Sequence, residues 1–433
     1  FIFVVDIYNE GVDIPEVNTV LFLRPTESLT IFLQQLGRGL RLAEDKDCLT
    51  VLDFIGQANK RYNFEDKFAA LLSNTARSVT REIKDGFVSA PKGCYIQLEK
   101  KAAKYILDNI RSSIESKAGL IDRISTFEED TNRPLTLTNF LNYYHLDARA
   151  IYGKKTTFYD LCVKAGLKEF TESPLHNSAF KILFRLSTLD SQRFVCYLLE
   201  QLPQIEELQW EKLSELEQLM WKMFYSTVWE RPPEKLGFLN YLEGICAFRE
   251  NETLYQETLE LLTACLDRIS VIGKPLNTEF PCPLDVHCTY TRTQILAALD
   301  FIEDYSISEG VKYLREKDVD IFFTTLNKAN KYYSPTTAYH DYSINEWLFH
   351  WQSQSTTSET SPTGQRYISR KKGCGHAFLF VRDQKSDRYG AQPFVFLGPV
   401  YYVKHEGSRP MNITWNLEQP IPAKFLKKTS KLV

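Results

Sequence analysis

Two arginines three residues apart, set among glycines, occur in the stretch Gln34-Gln35-Leu36-Gly37-Arg38-Gly39-Leu40-Arg41. A guanidinium stays charged and forks onto phosphate oxygens, and Gly37 and Gly39 let backbone come close, so the stretch can hold an anionic group, most naturally a nucleotide phosphate. A solvated helix end is the plain alternative. A second chemical cluster lies far downstream, where Trp347, Trp351, Gln352, Gln354, Arg366 and Tyr367 crowd together. Aromatic planes beside amides and a guanidinium are what base stacking with hydrogen-bonded readout requires, although the same rings could line a core.

The first cluster needs a scaffold, and the flanking residues describe one. Phe1 to Val5, Thr19 to Leu23 and Leu49 to Phe54 are apolar runs that predict buried strands of a parallel sheet. Between the last two, Leu29, Leu33, Leu36 and Leu40 recur at helical spacing, with Thr26 or Ser28 placed to cap the helix and Gly37 to end or bend it. Asn9-Glu10-Gly11-Val12-Asp13-Ile14-Pro15 follows the first run as a polar loop. Ligands of open α/β sheets bind at the loops beyond strand ends, where both polar stretches fall.

Glu10-Gly11-Val12-Asp13-Ile14-Pro15 followed by Gln34-x-x-Gly37-Arg38-x-x-Arg41 resembles motifs V and VI of superfamily-2 helicases, in their second RecA-like domain. The resemblance implies that Arg38 and Arg41 act as arginine fingers on ATP held by the first RecA-like domain, that Gln34 orients the site, and that Asp13 and Gly37 adjoin the nucleotide. It also implies that Gly11 lies near a nucleic-acid phosphate. Val5 departs from the family, which often has Ser or Thr there. The likeness covers about the first seventy residues. Asp318 onward, with Phe349-His350-Trp351-Gln352-Ser353-Gln354 and Thr363-Gly364-Gln365-Arg366-Tyr367, resembles a region that follows the helicase core in bacterial helicase-like proteins, some of which carry a phospholipase-D-type nuclease.

The phosphate-cradling loop is missing. Gly153-Lys154-Lys155-Thr156 comes nearest, but Ala148 stands where the first glycine belongs, and no Asp-Glu-x-His segment follows a strand. The chain opens directly on a strand, so the first RecA-like domain, with most of the ATP and Mg contacts, is expected upstream, and this chain alone is expected not to hydrolyse ATP.

Composition sets the wider frame. The 433 residues suffice for two or three domains, 43% are hydrophobic, and a net charge of −3 confines any nucleic-acid surface to a local patch. Nine cysteines without a Cys-x-x-Cys pair suggest reduced thiols and a cytoplasmic setting, and no apolar run is long enough for a membrane. The expected architecture is multidomain. It comprises a partial α/β RecA-like domain over 1–84, an all-α domain over 85–283, and a β-rich module over 284–433, built as a small barrel or curled antiparallel sheet. Leu135 to Leu167 reads as short helices with tight turns, compatible with either a helix-turn-helix unit or a plain bundle, with Arg149, Lys154, Lys155 and Thr157 on one edge. Zinc ligation by Cys282, His287 and Cys288, with Cys374 and His376 further on, matches no standard spacing, and nothing fixes Asp341, Glu346 and His350 on one face as a nuclease would need. No metal site is therefore assigned.

These readings converge on part of a bacterial superfamily-2 DNA helicase or translocase, in DNA repair or defence against foreign DNA. Its expected partners are DNA and the missing RecA-like domain, with Trp351, Gln352 and Arg366 as nucleic-acid contacts. The rival readings are a nucleic-acid- or protein-binding module without motor activity, and a nuclease in the C-terminal module.

Overall fold

A computed structural model describes residues 14–23, 29–41, 43–44, 46–54, 64–72, 79–88, 90–91, 94–269, 273–301, 310–326, 341–423 and 425–426. The expected strand over Phe1 to Val5, the candidate contacts Gly11 and Asp13, and the caps Thr26 and Ser28 lie outside these residues. The chain divides into two compact units, one of residues 1–135 with 142–146 and the other of 136–141 with 147–433. The expected boundaries near 84 and 283 thus fall inside units. Among the described residues no helix is long and apolar enough to cross a membrane.

In the first unit, β1 (Thr19–Phe22) leads to α1 (Leu29–Gly39) and then to β2 (Thr50–Asp53), which pairs with β1 in parallel from Thr19↔Thr50 to Phe22↔Asp53. The parallel strand, helix, strand order follows from the apolar runs and the leucine spacing. Phe22 and Phe32 fasten α1 to the strands with ring centroids 5.3 Å apart. Lys67 of α2 (Phe64–Ala69) meets Asp53 at 2.5 Å and lies 4.2 Å from the Phe32 ring centre. The unit continues through α3 (Val79–Asp85), α4 (Lys100–Ile114) and α5 (Lys117–Thr131). The side chain of Ser116 accepts the Gly119 amide to start α5, and Asn132 ends it in the left-handed conformation.

The second unit begins with short helices. They are α6 (Leu137–Tyr143), which spans the division between units, α7 (Arg149–Tyr152) and α8 (Phe158–Lys164), followed by α9 (His176–Leu186), α10 (Gln192–Gln201), α11 (Glu215–Trp229), α12 (Tyr241–Arg249) and α13 (Glu252–Arg268). A capping box between Ser214 and Glu217 starts α11, which buries Trp221, Phe224 and Tyr225 and is the unit's central helix. After the short strands β3 (Lys274–Pro275), β4 (Asp285–Val286) and β5 (Thr289–Tyr290), α14 (Arg292–Ala298) packs onto α11. Its buried Gln294 donates to Thr227 at 2.9 Å. That contact belongs to the core, so the helices and the sheet that follows make one body.

The sheet contains β6 (Val311–Leu314), β7 (Val319–Thr325), β8 (Tyr342–Ser343), β9 (Leu348–Gln352), β10 (His376–Arg382), β11 (Phe394–Glu406) and β12 (Asn412–Leu417), with α15 (Pro362–Ser369) between β9 and β10. Strand order is β6-β7-β10-β11-β12-β9-β8, with β5 added to β11. An all-antiparallel sheet was expected, but β7 and β10 run parallel from Val319↔His376 to Thr325↔Arg382. The connection between them is long, as a parallel pair needs, and carries β8, β9 and α15. The sheet is also curled. Phe322 of β7 and Trp351 of β9 are separated by three strands in sheet order, yet their rings stack at 4.6 Å. Phe322, Trp351, Leu379, Ile413 and Trp415 share one interior cluster.

Candidate nucleotide and nucleic-acid sites

In the first unit the arginine stretch forms the end of α1. Gln34 and Gly37 are exposed, Arg38 is half-buried in the last turn, and Arg41 is exposed just beyond it. Open space surrounds a Cβ built at Gly37. At Gly39 a Cβ would come within 2.8 Å of the Leu49 side chain, so this glycine is needed for close packing. One residue that sequence reasoning passed over organises the segment. Lys46 donates from Nζ to the carbonyls of Gly39 at 2.6 Å, Arg41 at 2.9 Å and Pro15 at 2.9 Å.

The downstream aromatic cluster is structural. Trp351 is 4% exposed and packed between Phe322 and Tyr367, whose ring centres lie 4.6 and 5.5 Å away. Buried Phe349 and Trp351 alternate with half-buried positions along β9, a period-two pattern that marks a core strand. Gln352 is spent on the fold, its amide side chain donating to Asn412 at 3.1 Å and its backbone N–H to Asp341 at 2.9 Å. Arg366 donates through Nε to both oxygens of buried Asp320, at 3.0 and 3.1 Å, and covers the Tyr313 ring at 3.9 Å. Arg370, 3% exposed, joins Asp320 to Asp318, and its hydrogen bond lowers the Asp318 carboxyl to about 2. The structure therefore packs Trp351 into the core cluster and Arg366 into an ion-pair network, while Trp351 and Gln352 also line a cleft.

This cleft of about 880 Å³, lined in part by Trp351, Gln352 and Gln354, opens between the helices and the sheet of the second unit. Among the described residues the cations on its wall are Lys155, Lys181, Arg185, Arg292, Arg382 and Lys385, against the carboxylates Glu230 and Asp341. Arg292, at the start of capped α14, sits 4.4 Å over the Phe323 ring, and Arg382 of β10 sits 4.4 Å over Phe394. Arg382 also donates to the Thr325 hydroxyl at 3.0 Å and the Gln392 carbonyl at 3.2 Å, which fixes the plane of its guanidinium. A guanidinium stacked on a ring is held in place and loses little freedom if it meets an anion. Arg185 is held by Glu230 at 2.6 Å and by the carbonyls of Thr227 and Val228; burial lowers its pKa, while Glu230 opposes that shift.

The cleft rim explains Gly153, the false candidate for a phosphate loop. A Cβ there would meet the Tyr389 carbonyl at 2.8 Å, so glycine admits the loop 386–390 against α7. Arg149 anchors the same loop, bonding Asp387 at 2.9 Å while pairing with Asp147 at 2.7 Å. It is therefore engaged within the protein. Short helices do occur over 137–164, but the N-terminus of α8 is buried on Glu257, whose carboxylate accepts the Phe158 amide at 2.7 Å and the Tyr159 amide at 2.9 Å. Burial raises the Glu257 carboxyl to about 7, with those amides opposing the rise.

For the metal readings, Cys282 and Cys288 are buried thiols, and burial pushes Cys282 up to about 12. Among the described residues no group of three or more His, Cys, Asp or Glu is placed to hold a metal ion. The nuclease candidate His350 stacks on Tyr342 at 4.7 Å.

Residues 284–428, which take in β4 to β12, match the family described as "Domain of unknown function (DUF3427)". The chain is also similar to the protein named "Putative ATP-dependent helicase IRC3" of Saccharomyces cerevisiae, with 43% identity over 53 residues. That stretch covers 12% of this chain and only 8% of the yeast protein. Together the two likenesses support a helicase-associated C-terminal region.

Proposed function

We propose that this chain is part of a bacterial superfamily-2 DNA helicase or translocase, in which the first unit contributes Arg38 and Arg41 to an ATP site and the second unit engages nucleic acid through its cleft. The phosphate loop and the Mg ligands belong to another RecA-like domain, because the arginine stretch offers guanidinium groups but no loop or carboxylate cluster for the metal. Its role is to neutralise charge that develops on the transferred phosphate. Gln34, Gly37, Asp13 and Gly11 keep the roles that the resemblance implies. DNA repair or defence against foreign DNA is the fitting context, and the cytoplasm the fitting place.

The observation that carries the nucleic-acid half is charge segregation: among the described residues, six Lys and Arg against two carboxylates line one cleft, in a chain whose total is −3. A polyanion is held by such local concentration, whatever the total charge. Fluorescence anisotropy of the chain with single-stranded and double-stranded oligonucleotides at low salt tests this, and binding that weakens steeply with salt is expected. A chain that binds neither DNA nor RNA overturns the reading and leaves protein recognition in its place.

A further inference from the structure

Lys46 joins the two polar stretches of the first unit. Its own amide donates to the Ala43 carbonyl at 3.3 Å, and its side chain reaches the end of α1. An ammonium has three N–H groups, and three carbonyls receive them: Gly39 and Arg41, on either side of the helix end, and Pro15, thirty-one residues away. A cation at a helix C-terminus is ordinary, because the last carbonyls lack partners and carry the negative end of the dipole. The bond to Pro15 is not part of that explanation. It closes a loop between the residue that ends the upstream polar stretch and the backbone flanking Arg38 and Arg41. The start of β2 touches both sides, Leu49 lying against Gly39 and the Thr50 amide donating to the Asn18 carbonyl at 2.8 Å, whereas Lys46 bonds the Pro15 end and the helix end at once.

We propose that Lys46 is a positioning residue, which couples the Pro15 end of the upstream stretch to the arginine pair so that the two are presented to a nucleotide as one rigid edge. This inference rests on the arginine-finger reading. A finger acts only when its guanidinium meets the phosphate in the right place, and small misplacements are costly in such steps. With all three donors spent on backbone, Lys46 itself contacts neither nucleotide nor nucleic acid.

Hydrogen exchange on the full chain reads the coupling directly. The reporters are the Val17 amide, bonded to Ile14, and the Leu40 and Arg41 amides, bonded to Leu36 and Arg38. Lys46→Met, which keeps the length and loses the donors, is expected to speed exchange at both stretches together. Lys46→Arg, which keeps several donors, should restore much of the protection at both. In the ATPase that contains this chain, Lys46→Met should lower kcat about tenfold or more, leave KM for ATP within about twofold, and be partly rescued by Lys46→Arg. Faster exchange at Leu40 and Arg41 alone would reduce Lys46 to a helix cap and overturn the proposal, as would unchanged exchange at both stretches. Coupled exchange with unchanged kcat would keep the tie but overturn the positioning role; the finger reading stands or falls separately, on Arg38→Ala and Arg41→Ala, which separates the two failures.

Discussion

The arginine stretch and the cleft are built in opposite ways. In the first, chemistry lies in one helix end: Arg38 and Arg41 are neighbours in sequence, and a backbone tie from Lys46 holds the segment. In the second, the cations come from positions as far apart as Lys155 and Lys385, and only the folding of the whole unit gathers them. The first arrangement needs a local motif and a strand, helix, strand scaffold. The second needs the whole unit folded, so damage to the core should erase the cleft while sparing the arginine stretch.

The largest effect is expected at the arginine pair. In the proposed full-length ATPase, Arg38→Ala or Arg41→Ala should lower turnover by about a thousandfold or more with little change in DNA binding. The chain by itself should show no DNA-stimulated hydrolysis in a steady-state assay, and turnover by the isolated chain would contradict the division of labour. Next comes the core beneath the cleft. Trp351→Ala removes a ring packed against Phe322, Tyr367 and Trp415 and should cost about 3–5 kcal/mol, seen as a lowered melting temperature. Asp320→Asn leaves Arg366 and Arg370 without their buried counter-charge and should cost a similar amount, about 3–5 kcal/mol, in a denaturant titration. If Trp351→Ala weakens nucleic-acid binding with an unchanged melt, the ring is a stacking surface after all.

The same contrast governs what the sequence made legible. The helix between two parallel strands could be read because leucine spacing and apolar runs are local signals, and its arginines lie within them. Trp351 and Arg366 stay open between surface and core in the sequence because composition cannot tell a stacked ring on a surface from one in a core; the alternation along β9, with Phe349 and Trp351 buried, is the local signal for the core. The parallel pairing of β7 with β10 was hidden because long-range partners leave no mark on either strand alone. No local pattern around Lys181, Arg292, Arg382 and Lys385 announces that folding will bring them to one cleft.

A smaller effect concerns pH and the α8 anchor. The folded state raises the Glu257 carboxyl from its ordinary 4.5 to about 7, so the folded chain holds that proton more tightly than the unfolded chain does. Its contribution to stability is full below 4.5 and is lost as pH rises through about 7. Thermal melts across this window should fall with rising pH, and Glu257→Gln should flatten the slope.

The most direct test of the central claim, that the cleft is the nucleic-acid site, is the salt dependence of oligonucleotide binding by the cleft variants. Arg292→Ala and Arg382→Ala should each weaken binding by about tenfold at low salt and reduce the slope of log K against log salt by about 1, because each removes one phosphate contact. Arg38→Ala should bind nearly as the unaltered chain does. If the two cleft variants, shown by their melts to be folded, keep the unaltered affinity and slope, the cleft is not where nucleic acid binds.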